Sequence, residues 1–314
     1  MKKVAVVGAG QWGKNLVRTF FELEALAAIV EESEALRENI KCNYSDIPVY
    51  NSIDSIKNDK NIAGVVIATP AFSHYDLAKE CILSGKDVFI EKPMTLSSKD
   101  GEDLLRLAEE NQRILMVGHL LLYQPAIQEM RKVMDTGAIG RVMTLHQQRL
   151  KLGRVRLVEN VLLSFGVHDL AVFLYLLGEE PIELRNIGQS ILQPSVEDDV
   201  YLHLTFEKEV KAHLHVSWFY PEVVRKLTVI GTEGMLVYDE VNQTVFQHKK
   251  GVNSDLSNRD EGSLLIFKGE SQPLTKECLH FLECIENRKR PISDGRNGLS
   301  VVKILEQASN AEGI

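Results

Sequence analysis

One junction constrains this chain more than any other. The apolar run Val4-Ala5-Val6-Val7 ends directly on Gly8-x-Gly10-x-x-Gly13, and a helical pattern follows, with Leu16, Phe20 and Leu23 at helix-face spacing. A short run with no polar alternation reads as a strand buried on both faces. The same alternation continues. Strands are expected at 26–30, 64–68, 88–90 and 114–117, and helices at 15–23, 75–83 and from Ser97-x-x-Asp100 to about residue 111. Gly85 stops the second of these helices. Strands alternating with helices make a parallel sheet covered on both faces, the doubly wound α/β plan.

In that plan ligands lie beyond the carboxyl ends of the strands. Gly8, Glu31, Thr69, Glu91 and His119 all fall just past such ends. The glycine triplet follows a strand, opens a helix and has an acid at the end of the next strand, which is the full context of a dinucleotide-binding fingerprint. Gly8 serves the tight turn, Gly10 the approach of a pyrophosphate, and Gly13 the packing of helix on strand. The helix N-terminus offers N–H groups and a positive dipole end to phosphates. Glu31 is placed to accept from ribose hydroxyls and to repel a 2′-phosphate, which favours NAD over NADP. The residues assigned to the cofactor are Gly8, Gly10, Gln11, Trp12, Gly13, Glu31, Thr69, Pro70, His74, Glu91 and Lys92. The alternative is a glycine turn beside a solvated acid.

The 314 residues suffice for two domains, with 44% hydrophobic and 25% charged residues. A net charge of −8 argues against a broad nucleic-acid or anionic-membrane surface, so neither is expected as a partner. Cys42, Cys81, Cys278 and Cys284 form no Cys-x-x-Cys pair, and no metal site is expected from them. They read as thiols in a reducing cytoplasm. No segment has the apolar length of a membrane span.

The pattern changes near residue 120. A helix is expected at 125–134, a strand at 141–149 and an apolar helical run within 159–177. Residues 200–217 alternate strictly. Val200, Leu202, Leu204 and Phe206 face one way, as do Val210, Ala212, Leu214 and Val216, and the opposite face carries His203, His213 and His215. Strands at 226–230 and 235–238 complete a large, mostly antiparallel open sheet in an α+β domain. The three histidines read as a half-exposed or intersubunit face, because no carboxylate or cysteine joins them at ligand spacing. A helix at 278–286 buries Cys278, Phe281, Leu282 and Ile285. The expected division is a dinucleotide-binding domain at 1–119, with a last helix at 296–314 packed back on it, and a substrate and oligomerisation domain at 120–295.

"GAGQWG", "TPAFSHYDLA", "EKP" at 91–93 and "GTEGMLVYD" together resemble the glucose–fructose oxidoreductase/inositol dehydrogenase (Gfo/Idh/MocA) family over essentially the whole chain. The resemblance implies a Rossmann domain and makes Lys92 the catalytic lysine, aimed by Pro93. A lysine beside a cationic nicotinamide, partly desolvated, has its pKa lowered and takes a hydroxyl proton as hydride leaves carbon. An exposed turn lysine is the plainer alternative. The family's Asp-x-x-x-His pattern places its histidine at His168, which the resemblance makes the second catalytic residue. Expected at a helix N-terminus and hence neutral, it is suited to accept or relay a proton, and a structural histidine is the plainer alternative. Ser164 stands at the aspartate position, and Asp169 follows the histidine.

Arg149, Lys151, Arg154 and Arg156 lie just upstream of His168 in an otherwise acidic chain. Guanidinium groups pair with phosphate oxygens. The segment resembles the subgroup that oxidises C3 of UDP-N-acetylglucosamine or its uronic acid, whose product goes to an aminotransferase. The substrate set is therefore His119, Tyr123, Arg149, Arg154, Arg156, Ser164 and Asp169. A solvated loop or salt bridges are the alternative for the arginines, and domain-junction packing the alternative for His119 and Tyr123. The resemblance also implies a homodimer or homotetramer. Competing functions are a dehydrogenase of inositol or a free sugar, and a non-catalytic NAD-binding sensor.

Overall fold

The structure is a computed structural model that describes residues 2–157, 159–269 and 272–310. The last four residues of the expected 296–314 helix lie outside the described residues. The chain divides into two compact units. One is Met1–Leu120 with Pro273–Lys303, and the other is Leu121–Gln272 with Ile304–Ile314.

The first unit begins β1 (Lys3–Val7), α1 (Gly13–Glu22), β2 (Leu26–Val30), α2 (Glu34–Asn43), β3 (Val49–Tyr50), β4 (Ile62–Ile67), α3 (His74–Leu83), β5 (Asp87–Ile90), α4 (Ser98–Glu110) and β6 (Leu115–Val117). The strands are all parallel in the order β3-β2-β1-β4-β5-β6. The direction of winding reverses between β1 and β4, and a doubly wound sheet binds its ligand at that switch point. Both faces are covered. Ala5, Val7, Val65, Ile67, Val88 and Ile90 join Ala78, Ile82 and Leu104 of α3 and α4 in one core. Val4, Val6, Ile29, Val66 and Phe89 alternate with them and are no more exposed. Two-sided burial is why these strands read as continuous apolar runs.

The second unit contains α5 (Pro125–Asp135), β7 (Val142–Leu150), a π-helical turn (Leu162–Gly166) running into α6 (Val167–Leu177), and β8 (Glu183–Gln189), β9 (Asp199–Thr205), β10 (Lys211–Ser217), β11 (Val224–Gly231), β12 (Met235–Asp239), β13 (Thr244–Val252) and β14 (Asn258–Lys268). They form one sheet in the order β14-β13-β12-β11-β7-β10-β9-β8. Every pair is antiparallel except β7 with β10. Val200, Leu202, Leu204, Ala212, Leu214 and Val216 are buried on one face, while Tyr201 is exposed on the other.

The chain then returns to the first unit through α7 (Pro273–Asn287) and the start of α8 (Gly295–Asn310). Phe281 of α7 meets Phe89 of β5 edge-on, with ring centroids 5.6 Å apart. This departs from the sequence reading, which kept residues up to 295 with the second domain. Side-chain packing on β5, invisible in a local pattern, draws α7 back. No helix among the described residues is long and apolar enough to cross a membrane.

Candidate active site

The glycine turn is shaped by close approach. Gly8 has φ +86°, and a Cβ there would stand 2.9 Å from the Ala68 carbonyl oxygen beyond β4. A Cβ on Gly13 would stand 2.0 Å from the Gly8 carbonyl oxygen, so α1 rests on the turn only without a side chain. A Cβ on Gly10 would meet nothing within 4 Å. Open space there, with no side chain capping α1 and no acid in its first turn, fits a diphosphate at the positive end of the helix. Glu31 braces the turn. Its Oε2 accepts from the Ala9 amide at 2.8 Å and its Oε1 from the Ser33 amide at 3.0 Å. Each oxygen keeps a further lone pair for a hydroxyl donor. Arg37 donates to the Glu31 and Glu32 carbonyls at 2.9 and 2.6 Å. A cleft of ≈ 570 Å³ opens between Glu31, Gly10, Thr69, Pro70 and Phe72, roomy enough for an adenosine.

Two strand ends along, Glu91-Lys92-Pro93 follows β5, and the Lys92–Pro93 peptide is cis. Lys92 is half-buried. His74, assigned to the cofactor by the sequence, has both ring nitrogens on backbone. Nδ1 lies 2.9 Å from the Pro93 carbonyl oxygen and Nε2 lies 2.9 Å from that of Thr69. Burial lowers its pKa, and the two carbonyls oppose that. His74 thus ties the end of β4 to the lysine turn. The Trp12 indole donates to Glu91 Oε1 at 2.6 Å, which links the glycine turn to the same place. A Cβ on Gly118 would stand 2.9 Å from Glu91 Oε2, so the carboxyl lies against the chain leaving β6. Burial raises the Glu91 pKa to about 7 against the pull of Trp12 and Lys92. His119 is 1% exposed, and neither ring nitrogen has a hydrogen-bond partner among the described residues. Burial first, and then the Lys92 charge, push its pKa down to about 3, so the imidazole is neutral.

Glu277 of α7 joins this set and was not assigned by sequence. It is 1% exposed, with neither oxygen hydrogen-bonded among the described residues. Its signal was legible: it stands four residues before Phe281, on the buried face of the same helix.

In the second unit, the residues expected to bind substrate separate into two groups. Arg149 Nε donates to both Asp169 oxygens at 3.1 and 2.8 Å, and its Nη2 donates to Asp169 and to Glu240 at 2.9 and 2.8 Å. Arg225 donates to Glu240 at 3.0 Å. Two guanidinium groups and two carboxylates balance, and the cavity beside them is only ≈ 10 Å³. Burial works against the Arg149 charge, but Asp169 and Glu240 outweigh it and hold its pKa above the ordinary value. Arg149 and Asp169 are therefore partners of one another rather than of a phosphate. Arg154 and Arg156 are exposed on the segment after β7.

Ser164 lies in the π-helical turn and His168 in the first turn of α6. Gly166, between them, has φ −63° and ψ −28°, so the backbone is helical throughout. The free N–H groups lie upstream, and the dipole argument for a neutral His168 fails for that reason. π-helical turns occur preferentially at functional sites. Tyr123 is 1% exposed. On the sheet face, His203 and His213 meet through their Nδ1 atoms at 2.8 Å, and His215 contacts Asp199 at 3.1 Å. Asp199 is a carboxylate that the sequence reading had not connected to them. The described residues contain no group of three or more histidine, cysteine or acidic side chains able to hold a metal.

Comparison with known proteins agrees with this geometry. Residues 2–119 match the model of the oxidoreductase family with an NAD-binding Rossmann fold, and residues 127–237 match that of the GFO/IDH/MocA C-terminal domain. The chain is 24% identical over 308 residues to UDP-N-acetylglucosamine 3-dehydrogenase of Acidithiobacillus ferrooxidans, covering 96% of this chain and 94% of that one. A solved structure of that protein superposes with a TM-score of 0.87 over 98% of this chain and 97% of the other, at 24% identity. The chain is also 26% identical over 252 residues to scyllo-inositol 2-dehydrogenase (NAD(+)) of Bacillus subtilis, covering 76% of this chain and 71% of that one. A glycine turn open at Gly10, an acid closing the adenosine cleft and a lysine beyond β5 are thus found in a chain whose two halves match the two domains of one group of enzymes: the protein is an NAD-binding oxidoreductase of the Gfo/Idh/MocA family.

Proposed function

We propose that the protein oxidises a secondary hydroxyl, at C3, of a nucleotide-linked sugar such as UDP-N-acetylglucosamine or its uronic acid. Bound NAD supplies the hydride acceptor. Gly8, Gly10 and Gly13 hold its diphosphate, Glu31 its adenosine ribose, and Thr69 and Pro70 flank the cleft. Glu31 and an Arg37 committed to backbone carbonyls favour NAD over NADP. Lys92 takes the hydroxyl proton, and His74 and Glu91 hold the turn that carries it. His168 and Ser164, on the π-helical segment, contact the sugar.

The observation that carries the sugar-nucleotide reading is the position of two arginines, Arg154 and Arg156, both exposed on the segment between β7 and the π-helical turn that holds Ser164. Likeness to a UDP-N-acetylglucosamine 3-dehydrogenase over nearly the full length of both chains supports it. The second reading, oxidation of an inositol, is favoured by the likeness to an inositol dehydrogenase and by the removal of Arg149 from the phosphate set.

Steady-state reduction of NAD separates them. UDP-N-acetylglucosamine, its uronic acid, myo-inositol and scyllo-inositol are compared with wild type and with Arg154→Ala/Arg156→Ala. The sugar-nucleotide reading expects turnover with a UDP-sugar and a KM raised about tenfold or more in the double variant. Turnover with inositols alone, unchanged in that variant, would replace it with the second reading. A homodimer or homotetramer through the outer face of the eight-stranded sheet belongs to the same proposal. Light scattering at the monomer mass would remove it.

A further inference from the structure

Glu277 is the buried acid that oxidation of a hydroxyl leaves without a task. The packing of α7 explains where it points. Phe281 sits edge-on to Phe89. Glu277 lies one helical turn before Phe281, and Glu91 lies two residues beyond Phe89 on the same side of the strand. The four-residue step along the helix and the two-residue step along the strand each span about 6–7 Å. A Cβ on Gly64, which pairs with Asp87, would meet Ile285 at 2.8 Å and Phe281 at 3.2 Å, so α7 runs opposite to β5 and its Glu277 end lies toward Glu91.

Their surroundings differ. Glu91 has the Trp12 indole as a donor. Glu277 is 1% exposed and has no donor on either oxygen among the described residues. Glu277 is out of water and Glu91 is half-buried beside it, and two carboxylates so placed do not both ionise readily, so they share a proton. The other titratable groups around the pair are Lys92 on its own turn, His119 beyond β6 and Cys278 on α7. His119 stays neutral to about 3, and burial pushes the Cys278 thiol up. That leaves the pair itself to exchange a proton.

We infer that Glu277 is a positioning residue that acts through Glu91 to couple the charge of the bound nicotinamide to one proton held between the two carboxyls. Trp12 carries Glu91 to the glycine turn, and Lys92 is its neighbour in the chain. A cationic nicotinamide favours the fully ionised pair, and a neutral one favours the pair with its proton. Binding of NAD+ therefore releases a proton, and binding of NADH does not. The burial that raises both carboxyls brings this exchange toward neutrality. The inference rests on NAD binding and is independent of which sugar is oxidised.

The test uses the full chain without any sugar. Dissociation constants of NAD+ and NADH are measured across pH values on both sides of about 7, the value for Glu91. If the cationic ring shifts the pair by about one unit, the preference for NAD+ over NADH rises about tenfold with pH across that window. Glu277→Gln keeps the shape of the acid but holds no proton, and its preference should be flat. Lys92→Met should keep the slope. A flat preference in the wild type overturns the inference, and so does a slope kept by Glu277→Gln. A slope lost in Lys92→Met and kept in Glu277→Gln assigns the proton to Lys92 and also overturns it. Should Glu277→Gln not fold, proton release by the wild type in weak buffer decides: a fraction of a proton with NAD+ and none with NADH is expected, and equal release with both overturns it.

Discussion

At the scale of single residues, burial decides what each charged group does. Arg149 looked like a phosphate ligand because it stands among cations in the sequence. Its guanidinium is instead used up by Asp169 and Glu240. Removing one member of a buried pair strands the others, at a cost of about 3–5 kcal/mol. Arg149→Ala should lower stability by that order in urea unfolding. A raised KM with unchanged stability would return Arg149 to the substrate. His119 gives a pH signature. The folded chain protonates it only near pH 3, against an ordinary value of 6.5. Between those values the unfolded chain binds more protons, so stability falls as pH drops through that window. The full effect is about 4–5 kcal/mol. His119→Leu should flatten this part of the stability–pH curve relative to wild type. Identical curves would show that the ring takes up a proton without unfolding.

At the scale of elements, the legible parts are those where one local cause is sufficient. β1, the glycine turn and α1 are written in residues 4–13, because Gly8 and Gly13 each answer a contact of 3 Å or less and Gly10 leaves the space beside it open. Gly13→Ala tests this. The added methyl collides with Gly8 and should cost about 1–3 kcal/mol, and NAD affinity should fall more than stability does. Loss of neither would mean that α1 does not need its close approach to the turn. The hairpin of β9 and β10 was equally plain from its alternation. α2 was not, since it buries only Ile40 and so shows no apolar stripe. β14 was not legible either: it is exposed along most of its length at the edge of the sheet and has no buried face to alternate with. The π-helical turn before α6 left no local mark, and the placement of His168 in the middle of a continuous helix follows from it.

At the scale of the whole molecule, the doubly wound parallel sheet of the first unit was implied by the alternation of strand and helix, whereas its strand order came from the structure. The return of α7 to that unit was not implied. It depends on Phe281 meeting Phe89, a contact between residues far apart in the chain, and it places Glu277 in the same unit as the Glu91-Lys92-Pro93 turn. The lysine, the glycine turn and the acid of β2 were legible from type and spacing. Their supports, His74 on two carbonyls and Trp12 on Glu91, needed the fold. The central claim is that these supports aim Lys92 at a hydroxyl that loses hydride to NAD. It is tested most directly by a single-turnover measurement of NADH absorbance when protein loaded with NAD meets UDP-N-acetylglucosamine or its uronic acid, in wild type and Lys92→Ala. The account predicts a rapid rise in the wild type and a rate about a hundred- to ten-thousand-fold lower in the variant, with NAD still bound. Equal rates in the two proteins would contradict it.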